Sequence, residues 1–530
     1  MAKDTDGQTT GDAALRLHAF FRHRASALNL FCTDACGELK PRQRQLRRFF
    51  RGSYAMLPDG RRDGAGKPGF ADIYAAHATA YFTDASYRCR YPLTAGQLER
   101  AWQFAAAPPH CAAHLPFLVT DDEGRRELRW IDPARVHAVH LVFAGASGAS
   151  LSRFGHVALR LVLCGEHRQR VDADCEEDVF DHLSLSFMAG IDELDLSLWK
   201  GISGGYPVKL YARHFISAYR EYSIDEFRSL HSLPLRLSPD ARDFMVRALS
   251  QVHWSYQNEY RFFTRNCATE LQWLLQAVYS VVAPGARAFL ERERFRPDRL
   301  FSDARQSPHF EGAVLEDLTA AEKGGYFFPG AKAYYQVAVN VFRDHPQLAQ
   351  QDTPQTPEDW RLRSALSRRD ALLLPALSAG MTEDEPQSRR DDKTGAAYTA
   401  QAGLVLEAWV ARRLRREVLA VMTTYYGTLL QELIANGSFF TEDEVRLVQG
   451  CMRFIKTGDK AGTLASGVPQ DAIASAPDEQ VCDAGSPALV PVIKRFHDAF
   501  PLRPELRLRI RELEDTAENI RLLAQRYSPG

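Results

Sequence analysis

The stretch Ala149-Ser150-Leu151-Ser152-Arg153-Phe154-Gly155-His156-Val157-Ala158-Leu159-Arg160 changes character halfway, from a Ser/Gly-rich loop to a strand. Val157, Leu159, Leu161 and Leu163 recur at a period of two, and His156 stands where the loop enters the strand. A second stretch, Tyr260-Arg261-Phe262-Phe263-Thr264-Arg265-Asn266-Cys267-Ala268-Thr269-Glu270-Leu271, opens a helix. Leu271, Leu274, Leu275 and Val278 form its apolar stripe, and Asn266 suits an N-cap. A thiol at a helix start faces unpaired N–H groups and the positive end of the dipole, which favour thiolate. A neighbouring imidazole would complete the activation. The reading therefore turns on whether Cys267 and His156, far apart in sequence, meet in space.

The 530 residues are enough for two or more domains, and 45% hydrophobic with 25% charged residues is ordinary globular composition. A formal net charge of −1 calls for no polyanionic partner, so no nucleic acid is expected. No run reaches the roughly 18 apolar residues of a membrane span. From Met1 to Phe31 the apolar residues are broken by Arg16, His18, Arg22, His23 and Arg24, which reads as an amphipathic helix without a secretory core. Nine cysteines contain no CxxC pair, and Cys32-x-x-x-Cys36 lacks the second half of a zinc site. No metal or cofactor is expected. Cys89 and Cys111 flank one helical segment, as a bridge or as two reduced thiols; the odd total leaves a thiol over, for which Cys267 is the candidate.

Four parts follow along the chain. Residues 1–130 read as mostly helical, with a basic stretch at 40–67 (Phe49, Phe50 and Tyr54 interleaved) expected to be a solvated helix and loop. Residues 131–300 read as one α+β domain, with strands at Val136–Phe143, Val157–Leu163 and His182–Phe187 and a helix opened by Ser238-Pro239-Asp240. Residues 301–395 are a mixed connection ending in a polar linker at 380–396. Residues 396–530 form a helical module, in which Leu506, Ile510, Leu513, Ala517, Ile520 and Ala524 make a seam suited to the helix around Leu404–Leu433.

Each signal alone has a bland reading: a small buried thiol, a structural histidine, a cap. Their order changes that. Ser-x-Phe-Gly-His and a strand reaching Arg160, then Gly204-Gly205-Tyr206-Pro207, an aromatic-rich helix at Tyr211–Tyr222, and an Asn266-Cys267 pair after Tyr260-x-Phe262-Phe263 resemble the Lnb N-terminal periplasmic domain family. The resemblance covers about residues 85–280, including a cysteine pair ahead of the histidine motif at Cys89 and Cys111.

The resemblance implies a permuted papain-like fold, with the histidine before the cysteine, flanked by helical N- and C-terminal regions. It implies that Cys267 is a nucleophile and His156 its base, forming a thioester from a phospholipid ester and passing the acyl chain to a lipoprotein's N-terminal amine at a membrane surface. Asp181, His182 and Ser186 are candidates to orient the imidazole, and Ser152, Gly155 and Asn266 to form the oxyanion or substrate loop. It implies a bacterial envelope or periplasmic location, against which stands the start of the chain, where no export signal is read. A peptidase or amidase of the cell envelope using the same thiol, and a non-catalytic interaction protein, are the alternatives.

Overall fold

The computed structural model describes residues 5–27, 70–104, 107, 109–120, 126–145, 154–189, 206–256, 258–260, 266–283, 294–344, 353–373, 387–436, 439–445, 447, 487 and 490–527. The basic stretch at 40–67, the loop residues 146–153 with Ser152, and Arg261–Arg265 lie outside them. The chain divides into two units. One comprises Met1–Ala218, Leu230–Phe328 and Glu442–Asp483; the other comprises Tyr219–Ser229, Pro329–Thr441 and Ala484–Gly530.

Among the described residues the first unit is built on a sheet of nine strands: β1 Leu115–Thr120, β2 Arg126–Ile131, β3 Val136–Ala144, β4 His156–Leu163, β5 Leu183–Ala189, β6 Tyr206–His214, β7 Leu230–Pro234, β8 Asn258–Tyr260 and β9 Phe327–Phe328. Their order is β2-β1-β6-β5-β4-β3-β7-β9, with β8 also paired to β6. Among the described residues every strand pairing is antiparallel except β1 with β6, which is parallel. The fold is thus mixed α/β, as the strand and helix patterns imply.

Among the described residues, the helices of this unit include α1 Thr5–Ala27, α2 Phe70–Thr83, α3 Pro92–Trp102, α4 Pro239–Ser255, α5 Cys267–Val282 and α6 Pro297–Gln306. The Ser238 hydroxyl accepts from Ala241 N and caps α4, with Pro239 in the first turn, as read from the sequence. Val139, Leu141, Val157, Leu159, Leu161, Leu183, Leu185 and Phe187 point to one face of the sheet. There they join Leu249 and Val252 of α4 and Leu271, Leu274 and Val278 of α5 in one apolar core.

The opposite face carries buried polar groups. Arg160, fully buried, pairs with the Glu176 carboxylate at 3.2 Å and donates to His182 Nδ1 at 2.8 Å and to the Gly325 carbonyl at 2.7 Å. Its guanidinium also lies 4.6 Å from the centre of the Phe215 ring. His140 meets Glu176 Oε1 at 3.0 Å through Nε2 and Ser232 Oγ at 2.9 Å through Nδ1. A disulfide, Cys164–Cys175, ties the turn bearing Glu176 to the end of β4; a second, Cys89–Cys111, closes a 22-residue loop.

Three sequence expectations are corrected here. Residues 115–131, placed in a mostly helical region, form the β1–β2 hairpin, whose second strand is too charged to show an apolar face. Tyr211–Tyr222 is not one helix: β6 runs to His214 and only Phe215–Tyr219 is α-helical before a π-helical turn at Arg220–Asp225. The polar stretch read as a linker is helical from Gln387 onward.

The second unit holds α7 Lys332–Arg343, α8 Pro357–Leu362, α9 Ala365–Leu372, α10 Gln387–Asn436 and α11 Pro504–Tyr527, together with a helix at Val490–Ala499. The α10–α11 packing read from the sequence is present. Its seam differs: Leu506, Thr516, Asn519 and Leu523 are the buried positions, and Ala517 and Ala524 face outward. The polar pair is accommodated because Arg368 bonds Thr516 Oγ1 at 2.7 Å and Glu407 at 2.7 Å, while Asn519 donates to Glu407 at 2.9 Å.

Burial and the neighbouring Arg160 push His182 down to about 3. Burial opposes ionisation of Glu176, but His140 and Arg160 outweigh it and hold its carboxyl below its ordinary value. Unfolded, His182 takes its proton near the ordinary imidazole value of 6.5, so the unfolded chain binds protons first as pH falls. Stability in urea should therefore fall as pH drops from about 6.5, and again as Glu176 protonates. The substitution His182→Gln keeps an acceptor for Arg160 and a donor for the Cys175 carbonyl. It should make the slope above Glu176 titration shallower, with buried His140 and partly buried His231, also held below 6.5 by burial, contributing to the remainder; an unchanged slope would mean that His182 contributes none of it.

Candidate active site

Asn266 fixes the start of α5. Its Oδ1 accepts from the backbone N–H groups of Ala268 at 3.0 Å and Thr269 at 3.3 Å, and Thr269 Oγ1 accepts from Asn266 N at 2.8 Å, a reciprocal capping box. Cys267 is therefore the first helical residue, at the positive end of the dipole. It is buried and belongs to neither disulfide. Because the cap occupies the Ala268 and Thr269 amides, those two are not donors for a substrate oxyanion.

His156 is the first residue of β4 and pairs with Ala144 of β3. Gly155 precedes it with φ 81°, and an added Cβ would meet the Phe143 ring at 2.4 Å and the Ala144 carbonyl at 2.5 Å. Only glycine fits both that dihedral and that space. Gly155, read as a loop residue for substrate or oxyanion, is thus the turn that delivers the histidine.

One short segment joins the two ends. Arg294 N donates to Gln272 Oε1 of α5 at 2.7 Å, and the Phe295 carbonyl accepts from Asn266 Nδ2 at 2.8 Å. At the next residue, the Arg296 guanidinium lies 4.4 Å from the centre of the Phe154 ring. Phe154 is two residues before His156, and Asn266 is adjacent to Cys267. Two successive residues therefore touch the approaches to both. α5 also packs on β4 and β5.

Strand alternation adds a condition. His156 shares its row with Ala158 and Arg160, whereas α5 sits on the row of Val157, Leu159 and Leu161. Any contact between a thiol and an imidazole at these positions would have to run around the end of β4, not across its face.

The candidates for orienting His156 are placed unequally. Leu161 pairs with Leu183, so His182 and Asp181 lie level with the far end of β4, about 19–24 Å along the strand from His156. Both His182 nitrogens are engaged, Nδ1 by Arg160 and Nε2 by the Cys175 carbonyl at 2.8 Å. Asp181 faces Arg129 at 3.5 Å. Ser186 is buried on β5, on the polar face, nearer to the His156 end. Ser152 lies outside the described residues.

Residues 126–289 match the model of the Lnb N-terminal periplasmic domain family. The resemblance inferred from the Phe-Gly-His and Asn-Cys motifs is thus found, and both motifs lie inside the match. It begins at 126 and not near 85, so the Cys89–Cys111 loop stands outside it. No curated protein and no solved structure matches the chain. The matched family is described as periplasmic, and among the described residues no helix is long and apolar enough to cross a membrane.

Removing the imidazole tests whether it acts on the thiol. In a dyad, His156→Ala should abolish iodoacetamide labelling of Cys267 at about pH 7 and allow partial recovery near pH 9. Equal labelling profiles in wild type and variant would rule the dyad out.

Proposed function

We propose that the protein is a thiol-dependent acyltransferase of the bacterial cell envelope, with Cys267 as nucleophile and His156 as its base. The observation that carries the reading is the Phe295–Arg296 segment, which touches Asn266 beside Cys267 and Phe154 beside His156. The match of residues 126–289 to the periplasmic domain family supports it, since both residues fall within that span. Two disulfides among the described residues support an oxidising compartment.

In this reading the β4–α5 arrangement is that of a permuted papain-like site, histidine strand first and cysteine helix second. The imidazole comes round the end of β4 and takes the Cys267 proton. The thiolate attacks the carbonyl of a phospholipid ester, a C–S bond forms, and the C–O bond to the glycerol breaks. The imidazolium returns the proton to the departing alkoxide, which leaves as a lysophospholipid. The N-terminal amine of a lipoprotein then attacks the thioester. His156 accepts the proton lost by that amine, an amide forms, and the thiolate is released.

Intact mass of protein incubated with a defined diacyl phospholipid tests the first half. A mass increase equal to one acyl group, lost with hydroxylamine and absent from Cys267→Ala, is expected. Adding an N-terminal cysteinyl lipopeptide should discharge the adduct into an amide. Discharge only to water, with cleavage of peptide substrates, would favour a peptidase or amidase. No adduct with either substrate class, and no phenotype for Cys267→Ala, would leave an interaction protein.

A further inference from the structure

Four aromatic rings gather where α1 meets α2 and the end of α3. Phe20 meets Phe21 at 5.3 Å, Phe21 stacks on Phe82 at 5.9 Å, and Phe82 stacks on Trp102 at 5.5 Å between ring centres. Phe21 is buried, yet Phe20 is 58% exposed and Phe82 is 55% exposed. A solvated loop or helix face has no need of two half-bare phenyl rings on a packed aromatic base. Contiguous apolar surface of this kind marks a docking face.

Charge identifies what docks. Between Ala13 and Arg24, α1 carries Arg16, Arg22, Arg24, His18 and His23 and no acidic residue. All three arginines are exposed. Asp72 on α2 faces Arg22 at 2.7 Å. Exposed aromatics framed by arginines fit a surface that is apolar just below a layer of negative charge. An anionic bilayer has that profile, with rings entering the acyl boundary and guanidinium groups at the phosphates.

We infer that α1 and the end of α2, through Phe20, Phe82 and the arginines of α1, form a docking face for an anionic phospholipid bilayer. Such a face suits the lipid donor of the proposed acyl transfer and rests on that reading only for its purpose, because binding is measured without turnover.

Full-length Cys267→Ala protein should co-float with vesicles of phosphatidylglycerol and phosphatidylethanolamine and much less with phosphatidylcholine alone, and added salt should weaken the binding. The pair Phe20→Ser and Phe82→Ser should lower partitioning by about tenfold. Since those rings pack on Phe21 and Trp102, the second variant, Arg16→Gln with Arg24→Gln, leaves the aromatic base intact. It should remove the preference for anionic vesicles with an unchanged melting temperature. Vesicle binding unaltered in both variants would overturn the inference. So would concentration-dependent dimerisation that disappears in the aromatic variant while no vesicle is bound, because the face then belongs to a second copy. Failure of thioester formation with vesicle binding retained would count against the acyltransferase alone.

Discussion

A guanidinium with no access to water has to find every partner within the protein, and Arg160 is such a group. Its demands reach outward through the first unit. Glu176 must be brought to it, which the Cys164–Cys175 bridge and the turn at Ala173–Glu177 accomplish. His182 must stay neutral with Nδ1 turned inward, and burial with the Arg160 charge pushes it down to about 3. Gly325 must offer its carbonyl, which places the chain just before β9. The polar face of β4 is thereby fixed residue by residue, and so is the strand whose first member is His156.

The other face of the same strand meets a simpler requirement. Val157, Leu159 and Leu161 lose water against α5, and α5 begins where Asn266 closes its first turn. Fixing β4 on one side by paired charge and on the other by apolar packing leaves little freedom at its end, where Gly155 turns the chain. A nucleophile and base on two such elements would be held by rigid structure, with the Phe295–Arg296 segment spanning between them.

Legibility in the sequence followed from which forces left a periodic trace. β3, β4 and β5 were readable because their core rows alternate, and α4 and α5 because Ser238, Asn266 and the apolar stripes agree. β6 was misread because Tyr211, Phe215, Tyr219 and Tyr222 recur at helical spacing although Val208, Leu210 and Ala212 alternate into the core. The seam of α11 was shifted because Thr516 and Asn519 are buried through hydrogen bonds to Arg368 and Glu407, which hydrophobic patterning does not register. For the same reason His182 drew attention as an orienting group while its neighbour in space, Arg160, held it. The Cys164–Cys175 bridge had no motif to announce it; its partners become evident only when β4 ends beside the Glu176 turn.

The central claim is spatial: two residues from distant segments form one reacting pair. Its most direct measurement is the separation between Cys267 Sγ and the nearer ring nitrogen of His156 in a crystal structure of the protein. The account predicts about 4 Å, with the imidazole wrapped round the start of β4 toward the first turn of α5. A separation of more than about 10 Å, with His156 turned into the Arg160 face and no hinge between the two elements, would contradict it.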